Sequence, residues 1–299
     1  MGGKEVVFIL GMSRSGTSAL TRVLSLCGCA LPDSLKEAND WNPKGFWEPL
    51  AAAQLNDEFL SRHDATFTDP TLRLQGEWVF AQQETERYIE QIRAFLGHCP
   101  QGRPVLIKDA RIIALFDFWL RAALAEEFRV KVIVPVRNPM EVAASWAAQA
   151  QIPASLELRQ ALWLKYNLLA ELHSRQFPRV FTEYSSLLED WRLQVARISR
   201  ALDLDLATDA AAEVDAFLTP ELHRQRCSDP ITEVFGYPWL SDTYAILSGA
   251  AQDRPLDGAR LDEILRAYRT CERAFRTSLD DWRRRLPSQP SANPGAIPG

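Results

Sequence analysis

The sequence is poor in everything that would fix a chain to a membrane, a disulfide scaffold or a nucleic acid. Its five cysteines, Cys27, Cys29, Cys99, Cys227 and Cys271, are odd in number and scattered over 299 residues, which suggests no disulfide framework. Cys27 and Cys29 have no second Cys or His pair at ligand spacing, so they read as buried thiols at a helix end rather than half a metal site. Apolar runs such as Val6–Leu10 and Val132–Val136 fall far short of the ~20 residues a membrane helix needs. The opening Met-Gly-Gly-Lys-Glu leads straight into a strand-like run and lacks the apolar core of a signal peptide. An excess of positive charge is also missing. Lys and Arg number 34 against 39 Asp and Glu, a net charge of −5, which argues against general nucleic-acid or anionic-membrane binding. An anionic ligand would have to be held by a few placed cations. A reducing cytoplasm is the expected setting.

What is present is a globular composition, 46% hydrophobic and 24% charged, arranged as alternating strands and helices. Val6–Leu10, Val105–Ile107, Lys131–Val136 and Arg179–Thr182 are short, branched and bounded by breakers, as buried parallel strands are. Leu20, Val23, Leu24 and Cys27 follow helical spacing, stopped by Gly28; Leu158, Leu162, Tyr166, Leu169 and Leu172 mark a second helix. Leu261, Ile264, Leu265, Tyr268, Phe275 and Leu279 mark another near the end. This alternation predicts an α/β fold, a central parallel sheet flanked by helices in three layers. One domain is expected over residues 1–286, with a disordered Pro/Ser/Gly-rich tail over 287–299. Residues 29–47 and 63–76 lack a period, and loops of this kind gather beyond the strand ends, where ligands bind.

The run Val6–Leu10 passes into Gly11-Met-Ser-Arg-Ser-Gly-Thr-Ser18 and then a helix. Strand, Gly-rich turn and helix N-terminus form an anion cradle from backbone N–H groups and the helix dipole. Gly11 and Gly16 have the spacing of an ATP-type loop, but Thr17 stands where its lysine belongs, which counts against a kinase or ATPase. A cation occurs earlier, at Arg14. Ser13, Arg14, Ser15, Gly16, Thr17 and Ser18 resemble the 5′-phosphosulfate loop of sulfotransferases that use 3′-phosphoadenosine 5′-phosphosulfate (PAPS). The bland alternative is an exposed arginine in an ordinary turn.

A second constellation follows Lys131–Val136. Asn138 suits an N-cap and Pro139 the first turn of a helix, so Arg137 at the strand end and Ser145 two turns on can converge on one anion. The Arg137/Ser145 spacing resembles the pair with which sulfotransferases bind the 3′-phosphate; the alternative is a capped surface helix. Lys108, closing the strand Val105–Ile107, matches a lysine that the family places there to neutralise the leaving oxygen. The cytosolic branch has a histidine base two positions later, where this chain has Ala110. Lys108-Asp-Ala-Arg111 and Gly45-Phe-Trp-Glu48 instead resemble loops of the bacterial branch.

The resemblance implies PAPS as sulfuryl donor, no metal, and a carboxylate base. Glu48 is the first candidate, with a pKa raised by its aromatic neighbours. Glu37, Asp40 and Asp109 remain open, and Glu48 read blandly only starts a helix. His63 reads as solvated. Tyr184, in the family-like segment Phe181–Leu188, lines the nucleotide pocket or simply packs. His223, Arg224 and Arg226 lie in a loop placed to cover the cofactor. Trp41, Phe46, Trp47, Phe59, Phe67 and Trp78 form an apolar lid or core. Two rivals stand: a P-loop kinase with Asp109 on Mg²⁺, and a non-catalytic nucleotide-binding protein. The acceptor, a hydroxyl or amine of a small molecule, carbohydrate or lipid, and the oligomeric state are not legible.

Overall fold

The computed structural model describes residues 3–40, 42–76, 80–148, 154–219, 227 and 229–285. Trp41, Trp78, His223, Arg224, Arg226 and the tail 287–299 lie outside the described residues. Four strands build the sheet: β1 (Glu5–Ile9), β2 (Val105–Ile107), β3 (Arg129–Val136) and β4 (Arg179–Glu183). The helices are α1 (Thr17–Leu26), α2 (Leu50–Arg62), α3 (Gln82–Gly97), α4 (Arg111–Ala114), α5 (Phe116–Ala125), α6 (Pro139–Ala147), α7 (Leu156–Ser174), α8 (Tyr184–Glu189), α9 (Trp191–Leu202), α10 (Ala211–Phe217), α11 (Trp239–Ala251) and α12 (Gly258–Arg285). Among the described residues no helix is long and apolar enough to cross a membrane.

All strand pairs are parallel, in the order β2-β1-β3-β4. Because side chains alternate across a strand, β1 feeds two cores. Val6 and Phe8 join one that includes α2, α3, α5, α7, α11 and the start of α12, whereas Val7 and Ile9 join one with α1, α8, α9 and Val214 of α10. The expected three-layer α/β architecture is therefore present.

The strand order also places the site. From β1 the chain moves to β2 on one side, then crosses back to β3 on the other, so the crevice at the carboxyl ends of β1 and β3 is the switch point where open α/β sheets bind ligands. The loop before α1 and the Arg137 turn both leave the sheet there.

One open reading narrows and one expectation changes. Phe59 is core rather than lid, buried and stacked on Tyr88 with ring centroids 4.1 Å apart. His63 is not solvated: it caps α2 and packs against Phe59 and Phe80, with Nε2 3.4 Å from Glu84. The aperiodic segment 63–76 is pinned by side chains from α7 and α12. Tyr166 donates to the Phe67 carbonyl at 2.7 Å, Lys165 to that of Asp69 at 2.7 Å, and Tyr268 to that of Pro70 at 2.7 Å. Burial brings the Lys165 ammonium down to about 8, with Asp69 and Glu272 pulling the other way.

Candidate active site

The turn from β1 to α1 demands its glycines for two different reasons. Gly16 caps α1 in the left-handed region, at φ 81°, and a Cβ there would fall 2.1 Å from the Tyr184 ring. Gly11 is squeezed instead, since its Cβ would meet Thr17 at 2.8 Å and Pro135 of β3 at 3.0 Å. The loop thus lies tight against β3. Inside it, Ser15 is fully buried and its Oγ has no hydrogen-bond partner. A buried, unpartnered hydroxyl in the turn before a helix N-terminus is a group that an anion's oxygen can satisfy.

The second constellation is in contact with the first. Arg14 Nε donates to Ser145 Oγ at 3.0 Å, and Arg137 Nη1 donates to the Arg14 carbonyl at 3.0 Å. Trp146 Nε1 donates to Ser13 Oγ at 3.1 Å. Asn138 caps α6, accepting from Met140 N at 2.8 Å, which holds Arg137 at the mouth of β3 and Ser145 on the facing side of the helix. The Arg137 guanidinium lies 4.7 Å from the centre of the Tyr184 ring, so Tyr184 both packs on Gly16 and supports the arginine.

Lys108 completes the arrangement from the end of β2. Its Nζ donates to Glu48 Oε1 at 2.6 Å, the Phe46 carbonyl at 3.1 Å and Ser18 Oγ at 3.2 Å; Ser18 in turn donates to Phe46 O at 3.0 Å. The lysine therefore sits against the first turn of α1, beside the Ser13–Ser18 loop, paired with a carboxylate. Glu48 precedes Pro49, the N-cap of α2, and that cap has no side-chain hydrogen bond. Its side chain serves Lys108, not the helix end.

The expected pKa rise at Glu48 is not what the structure gives. Burial alone would raise it, but Lys108, Lys36 and Arg111 outweigh burial and hold the carboxyl below its ordinary 4.5. The aromatic neighbours are turned elsewhere: Lys36 lies 4.6 Å over the Phe46 ring, and Trp47 stacks under Arg22 at 4.5 Å.

The other candidates separate clearly. Asp109 is fully buried and spoken for, accepting from Asn56 Nδ2 at 2.7 Å and from Arg111 N and Nη1 at 3.1 and 2.8 Å. Asn56 is itself held by Tyr88 and Trp119 at 2.6 and 2.9 Å. Asp109 is thus the hub of a structural network. Asp109→Asn should cost roughly 3 kcal/mol in a denaturant titration, because it leaves buried donors without their acceptor; unchanged stability would return Asp109 to the list of bases. Glu37 and Asp40 are exposed on the loop before Glu48.

Several contributors escaped the sequence reading. Lys36, 4.0 Å from Glu48, Trp146 and Asn56 carry no local motif that marks them. Glu141, which takes Arg137 Nε at 2.8 Å, was findable from its four-residue helical spacing.

No curated protein matches the chain. Among solved structures, it is similar to the sulfotransferase domain of the Synechococcus PCC 7002 olefin synthase (15% identity, 83% of this chain and 96% of that one, TM-score 0.49). It is also similar to the sulfotransferase domain from the curacin biosynthetic pathway (12% identity, 85% and 99%, TM-score 0.46). A third is a sulfotransferase of Mycobacterium tuberculosis H37Rv (16% identity, 82% and 77%, TM-score 0.37). The pattern of the Sulfotransferase family matches residues 6–209, more than half of the chain, from the second residue of β1 to beyond β4. That span holds the Ser13–Ser18 loop, Lys108 and the Arg137 turn, and on this match the chain belongs to the Sulfotransferase family.

Proposed function

We infer that this protein is a cytoplasmic enzyme that takes PAPS as donor and sulfates a hydroxyl or amine, with Glu48 as general base. The observation that carries the reading is the contiguity of three groups from three strand ends. The loop Ser13–Ser18 bonds to Ser145 and Arg137 on one side and to Lys108 with Glu48 on the other. The residues present fit the donor. Ser15 Oγ, the α1 N-terminus, Arg14 and Lys108 suit the 5′-phosphosulfate, while Arg137 and Ser145 suit the 3′-phosphate. When bound, PAPS supplies the sulfuryl group, which passes to the acceptor as its bond to the 5′-phosphate oxygen breaks.

The chain's own residues do the rest. Lys108 neutralises charge at the leaving side, and Glu48 receives the acceptor proton. The two are paired in the ligand-free protein, so a lysine drawn toward an anion would release the carboxylate from its strongest counter-ion and make it more basic. Positioning and charge compensation supply most of the acceleration, as in phosphoryl transfer. The five cysteines are all free thiols, which accords with a reducing compartment.

The direct test is thermal. Adenosine 3′,5′-bisphosphate (PAP), which has both phosphates, should raise the melting temperature by mass action on the native state, and Mg·ATP should do much less. Equal stabilisation by Mg·ATP would favour a kinase.

A further inference from the structure

The second anion site contains a carboxylate that the chemistry above leaves unused. Glu141 stands one helical turn from Arg137 and takes its Nε at 2.8 Å, while its other oxygen accepts from Cys227 N at 3.3 Å. An exposed pair at this spacing would be an ordinary surface contact. This one is not exposed, since the two side chains retain only 7% and 13% of their accessibility. It also falls on the arginine that faces the anion loop. With Arg14 on Ser145, the site brings together two guanidinium groups and one carboxylate.

We propose that Glu141 is a positioning residue that orients Arg137 and, by its charge, opposes the nucleotide's 3′-phosphate so that the spent nucleotide leaves readily. The inference rests on reading Arg137 and Ser145 as the 3′-phosphate site. Orientation follows from the contacts. Nε is fixed by Glu141, Nη1 by the Arg14 carbonyl, and the guanidinium lies over Tyr184, while Trp163 Nε1 holds the Arg137 carbonyl at 3.0 Å.

Opposition follows from charge. A phosphate within hydrogen-bond reach of Arg137 would stand about 6 Å from the Glu141 carboxylate, and in a poorly screened site that repulsion is worth at least about tenfold in affinity. Product affinity is thereby held down without loss of the arginine, which matters in enzymes whose turnover is limited by release.

Glu141→Gln separates the two roles, because the amide oxygen still accepts from Nε but the charge is gone. Titration calorimetry should show PAP bound about tenfold more tightly by Glu141→Gln than by the wild type. Adenosine 5′-phosphosulfate, which lacks the 3′-phosphate, should bind both alike. Glu141→Asp, with its carboxylate withdrawn by one methylene, should move PAP affinity in the same direction by less. PAP affinity unchanged or weakened in Glu141→Gln would overturn the proposal, as would equal tightening of both ligands. Arg137→Ala keeps the two questions apart. If it leaves PAP binding intact, the 3′-phosphate site itself is misassigned; if it weakens PAP while Glu141→Gln does not tighten it, only the role of Glu141 falls.

Discussion

Glu48→Gln should lower turnover by ~10²–10⁴-fold without weakening PAP, the signature of a lost general base. The substitution keeps the length of the side chain and an oxygen for Lys108, but nothing remains to receive the acceptor proton. The structure adds a cost, because Glu48 is the 2.6 Å partner of a buried lysine. Stability should fall by about 1–3 kcal/mol, softened by the bonds Lys108 keeps to Ser18 and Phe46.

The pH dependence carries a definite sign. A carboxyl held below 4.5 in the folded protein contributes stability that is present above that pH and is lost as pH falls through the lower folded value. Acid should therefore erode wild-type stability more than that of Glu48→Gln. The acidic limb of wild-type kcat/KM for PAPS, which reports the ligand-free enzyme, should likewise lie below 4.5. Near-normal turnover in Glu48→Gln, with collapse in Glu37→Gln or Asp40→Asn, would move the base to the exposed loop.

Arg137→Ala should weaken PAP by about 2–3 kcal/mol, roughly 30- to 150-fold, the usual loss for a buried charge-assisted contact. Adenosine 5′-phosphosulfate should lose only a few-fold. It is not wholly spared because Arg137 also steadies the anion loop through the Arg14 carbonyl. Arg137→Lys provides the comparison: it keeps a charge but cannot fork, and should fall between the two. Equal weakening of both ligands in Arg137→Ala would make the arginine a loop support and nothing more.

Much of this was legible because the relevant signals are local. The β1 strand, the glycines at 11 and 16 and the helix after them follow one another in sequence, and each implies the next. Asn138 and Pro139 announced a helix that does begin there, and Arg137 and Ser145 do face the loop. What escaped depends on contacts between distant segments. Whether Glu48 is raised or lowered hinges on Lys108, 60 residues away, and aromatic neighbours in sequence say nothing about which cation folds against it. Asp109 looked like a candidate base or metal ligand because its partner Asn56, on α2, carries no motif. The helical period through Leu279 was right, but periodicity cannot show burial. Leu261, Ile264, Leu265 and Tyr268 enter the core, while Phe275 and Leu279 face outward on the same helix.

The most direct test is a crystal structure with PAP bound. The 3′-phosphate should lie on Arg137 and Ser145, and the 5′-phosphate on the Ser15–Ser18 turn with Lys108 drawn onto it. Glu48 should be the carboxylate nearest the open side of that phosphate. A nucleotide seated with its phosphates away from these groups, or with Glu48 turned from the 5′-phosphate and another carboxylate in its place, would contradict this assignment.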